Sequence, residues 1–149
     1  MTLRPGRPTD IAALRALELA AFTTDMLSTQ SFRRFIASPG ATLLVAEDDA
    51  GKLVGYVLVL YPPRTTLARL YSIAVQGGLE GRGLGQELLA AAEAAARRRG
   101  RTAMRIEVHA QNRRALAFYG KSSYRPLGRR ADYYDDGGDA LRFEKPLVP

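Results

Sequence analysis

Ala74-Val75-Gln76-Gly77-Gly78-Leu79-Glu80-Gly81-Arg82-Gly83-Leu84-Gly85-Gln86-Glu87-Leu88-Leu89 carries an apolar run into a glycine-rich turn that opens directly onto a helix. Glycines let such a turn adopt positive φ and let a ligand approach the main chain. The first N–H groups of the helix have no partner within it and sit at the positive end of its dipole, about half a unit charge. This combination binds phosphate, so the predicted ligand is a phosphorylated cofactor.

The flanking sequence alternates helical and extended patterns. Thr2 to Arg4 starts a strand, and Pro8-Thr9-Asp10 supplies capping chemistry before Ile11, Leu14, Leu17 and Leu19. A second short helix runs through Phe32, Phe35 and Ile36 and ends near Pro39-Gly40. Thr42 to Glu47 and Leu53 to Leu60 are β-rich runs joined by the hairpin signal Asp48-Asp49-Ala50-Gly51-Lys52. Ala68 to Val75 follows as a long strand. From Leu84 to Arg99 the pattern is helical, with Leu84, Leu88, Leu89, Ala92 and Ala96 on one side and Gly100 as the stop. Arg101 to His109 reads as a strand, so the strand, helix and strand predict a parallel pairing by a right-handed crossover. A helix capped by Asn112 then runs to Lys121, and Tyr124 to Arg130 and Ala140 to Leu147 form two last strands around Asp135-Asp136-Gly137-Gly138-Asp139. No internal repeat, low-complexity tract or linker stands out, so a single mixed α/β domain over residues 1–149 is expected.

Composition narrows the chemistry. There is no cysteine and one histidine, which removes disulfides, thiol catalysis and thiolate metal sites and leaves no histidine-rich metal centre, so no metal is expected. The start of the chain has no signal-peptide core and no segment approaches the ~18 apolar residues of a membrane span, so the expectation is a soluble, cytoplasmic protein. Twenty-two Lys and Arg against fifteen Asp and Glu give a net charge of +7, carried mostly by arginine. That favours anionic partners, nucleic acid or a polyphosphorylated cofactor, although abundant Arg and Ala also follow from genome composition alone.

Spacing separates the readings of the glycine turn. A P-loop requires Gly-Lys-Ser/Thr, and no such lysine is present. A dinucleotide fingerprint requires a third glycine, but counting from Gly81 or Gly83 places Gln86 or Leu88 there, even though Glu107 stands where a ribose-binding acid would. Arg82-Gly83-Leu84-Gly85, after a strand ending Ile73-Ala74-Val75, resembles the coenzyme A turn of the GCN5-related N-acetyltransferase (GNAT) superfamily. Ile106-Glu107-Val108-His109-Ala110-Gln111-Asn112, Ala115-Leu116-Ala117-Phe118-Tyr119, Tyr133-Tyr134 and Asp139-Ala140 are similar, within it, to the bacterial ribosomal-protein-alanine N-acetyltransferases. The match runs from about Tyr71 to Lys145; the first half agrees in the order of its elements. Glu80 stands where the family usually carries Gln or Arg, close to the expected pyrophosphate. Gly77-Gly78 replaces a proline-containing loop, and Ser122-Ser123-Tyr124 replaces a common Gly-Phe ending.

The resemblance implies a GNAT fold: a mostly antiparallel twisted sheet of six to seven strands, about four helices, and a parallel pairing at the cofactor cleft. It implies an acetyl-CoA-dependent N-acetyltransferase. Backbone groups of Ile73, Ala74 and Val75 would align the pantetheine arm as an added strand, a Val75 N–H would face the thioester oxygen, and Gly81, Arg82, Gly83, Leu84, Gly85 and Gln86 would hold the pyrophosphate. Glu107 is the implied general base; the alternative is an ordinary strand carboxylate paired with an arginine. Tyr119, seven residues after Asn112 and on the same helical face, is the candidate general acid, or else a core aromatic. Tyr133 and Tyr134 line an acceptor groove or pack in a strand. His109 shares a strand face with Glu107 and either assists proton transfer or occupies a polar position near the sheet edge. Arg97-Arg98-Arg99 and Arg101 form a solvated helix end or meet the cofactor's ribose phosphate. An α-amine of pKa ~8 is about a tenth neutral at pH 7, a lysine of ~10.4 only a few parts in ten thousand, so a lone glutamate base suits an α-amine such as a protein N-terminus. A small-molecule amine acceptor and a non-catalytic coenzyme A-binding module stay open as alternatives. So does a homodimer, while nucleic acid is disfavoured as a partner and no membrane is expected.

Overall fold

In the computed structural model, residues 1–23, 25–79 and 81–148 are described. β1 (Thr2–Pro5) leads through a 3₁₀ turn at Pro8–Asp10 into α1 (Ile11–Ala21) and α2 (Thr29–Ala37). Then come β2 (Ala41–Glu47), β3 (Leu53–Leu60), β4 (Leu67–Val75), α3 (Leu84–Arg98), β5 (Ala103–His109), α4 (Arg113–Lys121), β6 (Arg125–Arg130) and β7 (Ala140–Pro146). The strands form one sheet in the order β1-β2-β3-β4-β5-β7-β6. Every neighbouring pair is antiparallel except β4 with β5.

The elements follow the predicted pattern with local corrections. The Asp10 carboxylate does not cap α1; it accepts the Arg7 N–H at 2.7 Å and both ends of the Arg4 guanidinium, and so closes the preceding turn. Asp48 Oδ1 accepts from Ala50 and Lys52 in the β2–β3 turn, which Gly51 completes at φ +82°. After α4, Ser123 takes the left-handed conformation (φ +71°), and Tyr124 enters the core with its phenol donating to Glu93 at 2.8 Å.

Two cores cover the two faces of the sheet. Leu84, Leu88, Leu89, Ala92 and Ala96 of α3 pack with Val57, Val59, Ala68, Leu70, Met104, Ile106 and Val108 on one face. Ile11, Leu14 and Leu17 of α1 and Phe32 of α2 pack with Leu43, Val45, Tyr56, Leu58 and Ala74 on the other. The strands thus alternate between the two cores, the period-two consequence of burial on both sides.

β4 breaks that alternation. Leu58 pairs with Ser72 but Val59 pairs with Leu70, which leaves Tyr71 as an extra residue, a β-bulge. Before it, the even positions Ala68 and Leu70 face α3; after it, the odd positions Ile73 and Val75 do, and Ala74 turns to the α1 side. The parallel ladder with β5 covers Leu67–Arg69 against Ala103–Arg105 and stops before the bulge. β4 continues to Val75 along β3, while β5 continues to His109 along β7. The sheet therefore opens between the last part of β4 and the last part of β5.

Candidate active site

A cleft of about 1030 Å³ occupies that opening. The end of β4 (Ile73, Ala74, Val75, Gln76) forms one wall, and the glycine turn and the start of α3 (Gly81, Gly83, Gly85, Gln86) form the floor. Asn112, Ala115, Phe118 and Tyr119 close the α4 side, and Ala13, Ala16, Leu17 and Ala20 of α1 close the other.

Main-chain donors converge there. Gln76 N–H donates to the Val54 carbonyl at 2.8 Å, across to β3. Alternation then sends the N–H groups of Ile73 and Val75 to the opposite edge, where β5 has already diverged. Gly83 caps α3 at φ +85° and the first intrahelical bond is Glu87 N–H to the Gly83 carbonyl at 3.0 Å, so the N–H groups from Gly83 to Gln86 have no acceptor within the helix. A side chain at Gly83 would meet no neighbour, so the positive φ is what demands glycine; at Gly85 a Cβ would press on Phe118 at 3.3 Å. Arg82 N–H donates to the Leu79 carbonyl at 3.4 Å within the turn, and the Leu84 side chain is buried under β3, because both help shape the turn that presents the neighbouring amides. Glu80 lies outside the described residues.

Asn112 caps α4, its side chain accepting from Ala115 N–H at 3.1 Å, and with Tyr119 it borders the cleft. Tyr119 is 4 % exposed and lies edge-on to Phe118 and Tyr124, so it is both a core aromatic and a cleft residue. Burial pushes its phenol well above the ordinary tyrosine value, which keeps it protonated and makes it a weaker acid than an exposed tyrosine.

Glu107 stands on the α1 side of β5, outside the lining of the cleft, and forms an ion pair with Arg69 Nε at 3.3 Å. Arg69 Nη2 donates to the Tyr133 phenol oxygen at 2.9 Å. Glu107 thus has the arginine partner that the alternative reading gives it. His109 ends β5, paired with β7 on one side and past the point where β4 has parted on the other; its Nε2 meets Asp136 at 2.9 Å and its ring stacks on Tyr134 at 4.9 Å. Tyr133 and Tyr134 belong to the connection between β6 and β7, not to a strand. Burial, then the charges of Tyr133, Glu107 and Asp25, push the Tyr134 phenol up to about 12. The Gly138 N–H, and then His109, hold the Asp136 carboxyl below the ordinary range.

Arg99 and Arg101 sit at the far end of α3, about 22 Å along the helix from the glycine turn. Arg99 donates to the Pro39 carbonyl, and Arg101 Nη1 donates to the carbonyls of Pro62, Thr65 and Leu67 at 2.7 to 2.9 Å. They tie loops together rather than bordering the cleft. The sequence reading missed Arg69 and the α1 wall; a charged residue inside the apolar run of β4 was the available signal for the first, and Ala13, Ala16 and Ala20 carried none of their own. Among the described residues, no helix is long and apolar enough to cross a membrane.

The Acetyltransferase (GNAT) family model matches residues 11–124, so the chain belongs to that family and is an N-acetyltransferase. It is 29 % identical over 140 residues, 93 % of this chain and 91 % of the other, to a Bacillus subtilis (strain 168) protein carrying the provisional name ribosomal protein bS18-alanine N-acetyltransferase. The fold is also that of the ribosomal-protein-S18-alanine N-acetyltransferase from Escherichia coli, with a TM-score of 0.86 and 24 % identity over 99 % of this chain and 94 % of that one. Chaetomium thermophilum Naa20, solved in complex with a bisubstrate analogue, superposes with a TM-score of 0.84 at 24 % identity over 98 % and 86 % of the two chains.

Proposed function

We propose that this chain acts as a single cytoplasmic domain that transfers the acetyl group of acetyl-CoA to a primary amine, with a protein N-terminal α-amine as the acceptor. The observation that carries the reading is the set of free main-chain donors at the split in the sheet: Ile73 and Val75 on the open edge of β4, Gly83 to Gln86 at the start of α3. An anionic, extended cofactor fits that set, because its diphosphate meets amides at a helix N-terminus and its amide arm can pair with a strand edge. Lys52, Arg114 and Lys121 along the same cleft add positive charge.

The amine nitrogen attacks the thioester carbon, the carbon–sulfur bond breaks, and the sulfur leaves as thiolate. Val75 N–H stabilises negative charge on the carbonyl oxygen. Glu107, directly or through water, takes the proton the amine loses, and Tyr119 supplies one to the sulfur. The relative from Bacillus subtilis, named for an alanine acceptor on a ribosomal protein, supports an α-amine. Turnover of an Ala-starting peptide should exceed that of polyamines and aminoglycosides, with Glu107→Gln lowering kcat about a hundredfold. A preference for the small amines would overturn the peptide acceptor, and unchanged kcat in Glu107→Gln would overturn the base. Binding of coenzyme A without turnover of any amine would leave a binding module instead.

A further inference from the structure

We infer that Arg69 is a positioning residue that ties Glu107 to Tyr133 across the opening of the sheet and so sets the base against the acceptor side; this rests on Glu107 being the base. Arg69 is the last β4 residue in the parallel ladder, in register with Arg105 of β5, immediately before the two strands part. From there its side chain reaches across the opening. Nε lies 3.3 Å from Glu107 Oε2, and Nη2 donates to the Tyr133 phenol oxygen at 2.9 Å. The guanidinium also lies over the Tyr71 ring, 5.3 Å from its centroid, so the bulge residue helps to hold it.

The other polar side chains on this face of β5 are engaged elsewhere. Arg105 pairs with Glu144 at 2.7 Å, and His109 with Asp136. Glu107 is therefore oriented by Arg69, and with a side-chain exposure of 14 % it has little water to compete for the contact. Arg69 Nε is buried and makes no hydrogen bond, so the contact to Glu107 is ionic and off-axis. Such a contact restricts the carboxylate while leaving its lone pairs open to a proton from the acceptor or from water. Tyr133 belongs to the β6–β7 connection, which His109 clasps independently through Asp136 and through stacking on Tyr134. One guanidinium thus links that connection to Glu107.

The test is a double-mutant cycle with an Ala-starting peptide. Arg69→Gln should lower kcat about tenfold, with the Kd for acetyl-CoA and the Tm unchanged, and Arg69→Lys should recover most of the loss by restoring the charge. In a Glu107→Gln background, Arg69→Gln should change kcat by less than about twofold, because the residue it orients is already gone. Full, additive loss in that background overturns the inference while leaving the base in place, as does wild-type kcat in Arg69→Gln. Wild-type kcat in Glu107→Gln overturns both. Loss of Tm in Arg69→Gln together with no rescue by Arg69→Lys assigns Arg69 to folding and overturns the positioning role.

Discussion

At the scale of single residues, burial decides which polar groups are held and which are free to act. Glu18 is 1 % exposed; its carboxylate accepts the Leu27 N–H at 2.8 Å and the Tyr56 phenol at 2.6 Å, and that phenol also meets Ser72. Glu18→Ala strands two buried donors and should cost about 3 kcal/mol in chemical denaturation. Burial, opposed by those two hydrogen bonds and by Arg15, pushes the Glu18 carboxyl above the usual carboxylate value. A raised acid contributes its full stability below the ordinary carboxylate range and loses it as pH rises through the raised value. The Tm of Glu18→Gln should therefore gain on that of the wild type as pH rises above the ordinary carboxylate range; a constant gap would show that the shift has no effect on stability. Tyr119→Phe keeps the ring packed against Phe118 and Tyr124 and should preserve Tm while lowering kcat about ten- to a hundredfold; unchanged kcat would leave Tyr119 as a core aromatic.

At the scale of elements, helix termini and one bulge divide the labour. The start of α3 presents amides and its end is tied down. Gly83→Ala places a side chain at φ +85°, a strain of about 1 to 2 kcal/mol, and in relaxing it should turn the amides away. Calorimetry should show at least a tenfold weaker Kd for acetyl-CoA. Arg101→Ala removes a donor shared by the carbonyls of Pro62, Thr65 and Leu67, so it should lower Tm by several degrees and leave that Kd unchanged. A weakened Kd would instead return Arg101 to the cofactor. The helix, the hairpins and the glycine turn were legible because period, capping residues and glycines act locally. The bulge at Tyr71 was not, since nothing within β4 marks where the register against β3 slips.

At the scale of the whole molecule, one sheet with a core on each face is split by the single parallel junction among its described strands, and a cleft results. A net charge of +7 and the cations along the cleft should make acetyl-CoA binding depend on ionic strength, with Kd rising severalfold between about 0.05 and 0.5 M salt. A flat response would place the binding energy in the main-chain amides alone.

Local chemistry in the chain dictated the order of elements and the phosphate-type turn before α3, because each depends on residues close together in sequence, while the roles of Glu107 and Tyr119 were implied by the family resemblance. Folding in three dimensions decided the rest. It brought Arg69 and Glu107 together across a gap of 38 positions and Arg69 and Tyr133 across 64, buried the Leu84 side chain under β3, and tied Arg101 to the carbonyls of Pro62, Thr65 and Leu67. Such pairings depend on strand register and on where two strands part, and both are set by packing between distant segments rather than by any residue's own preference.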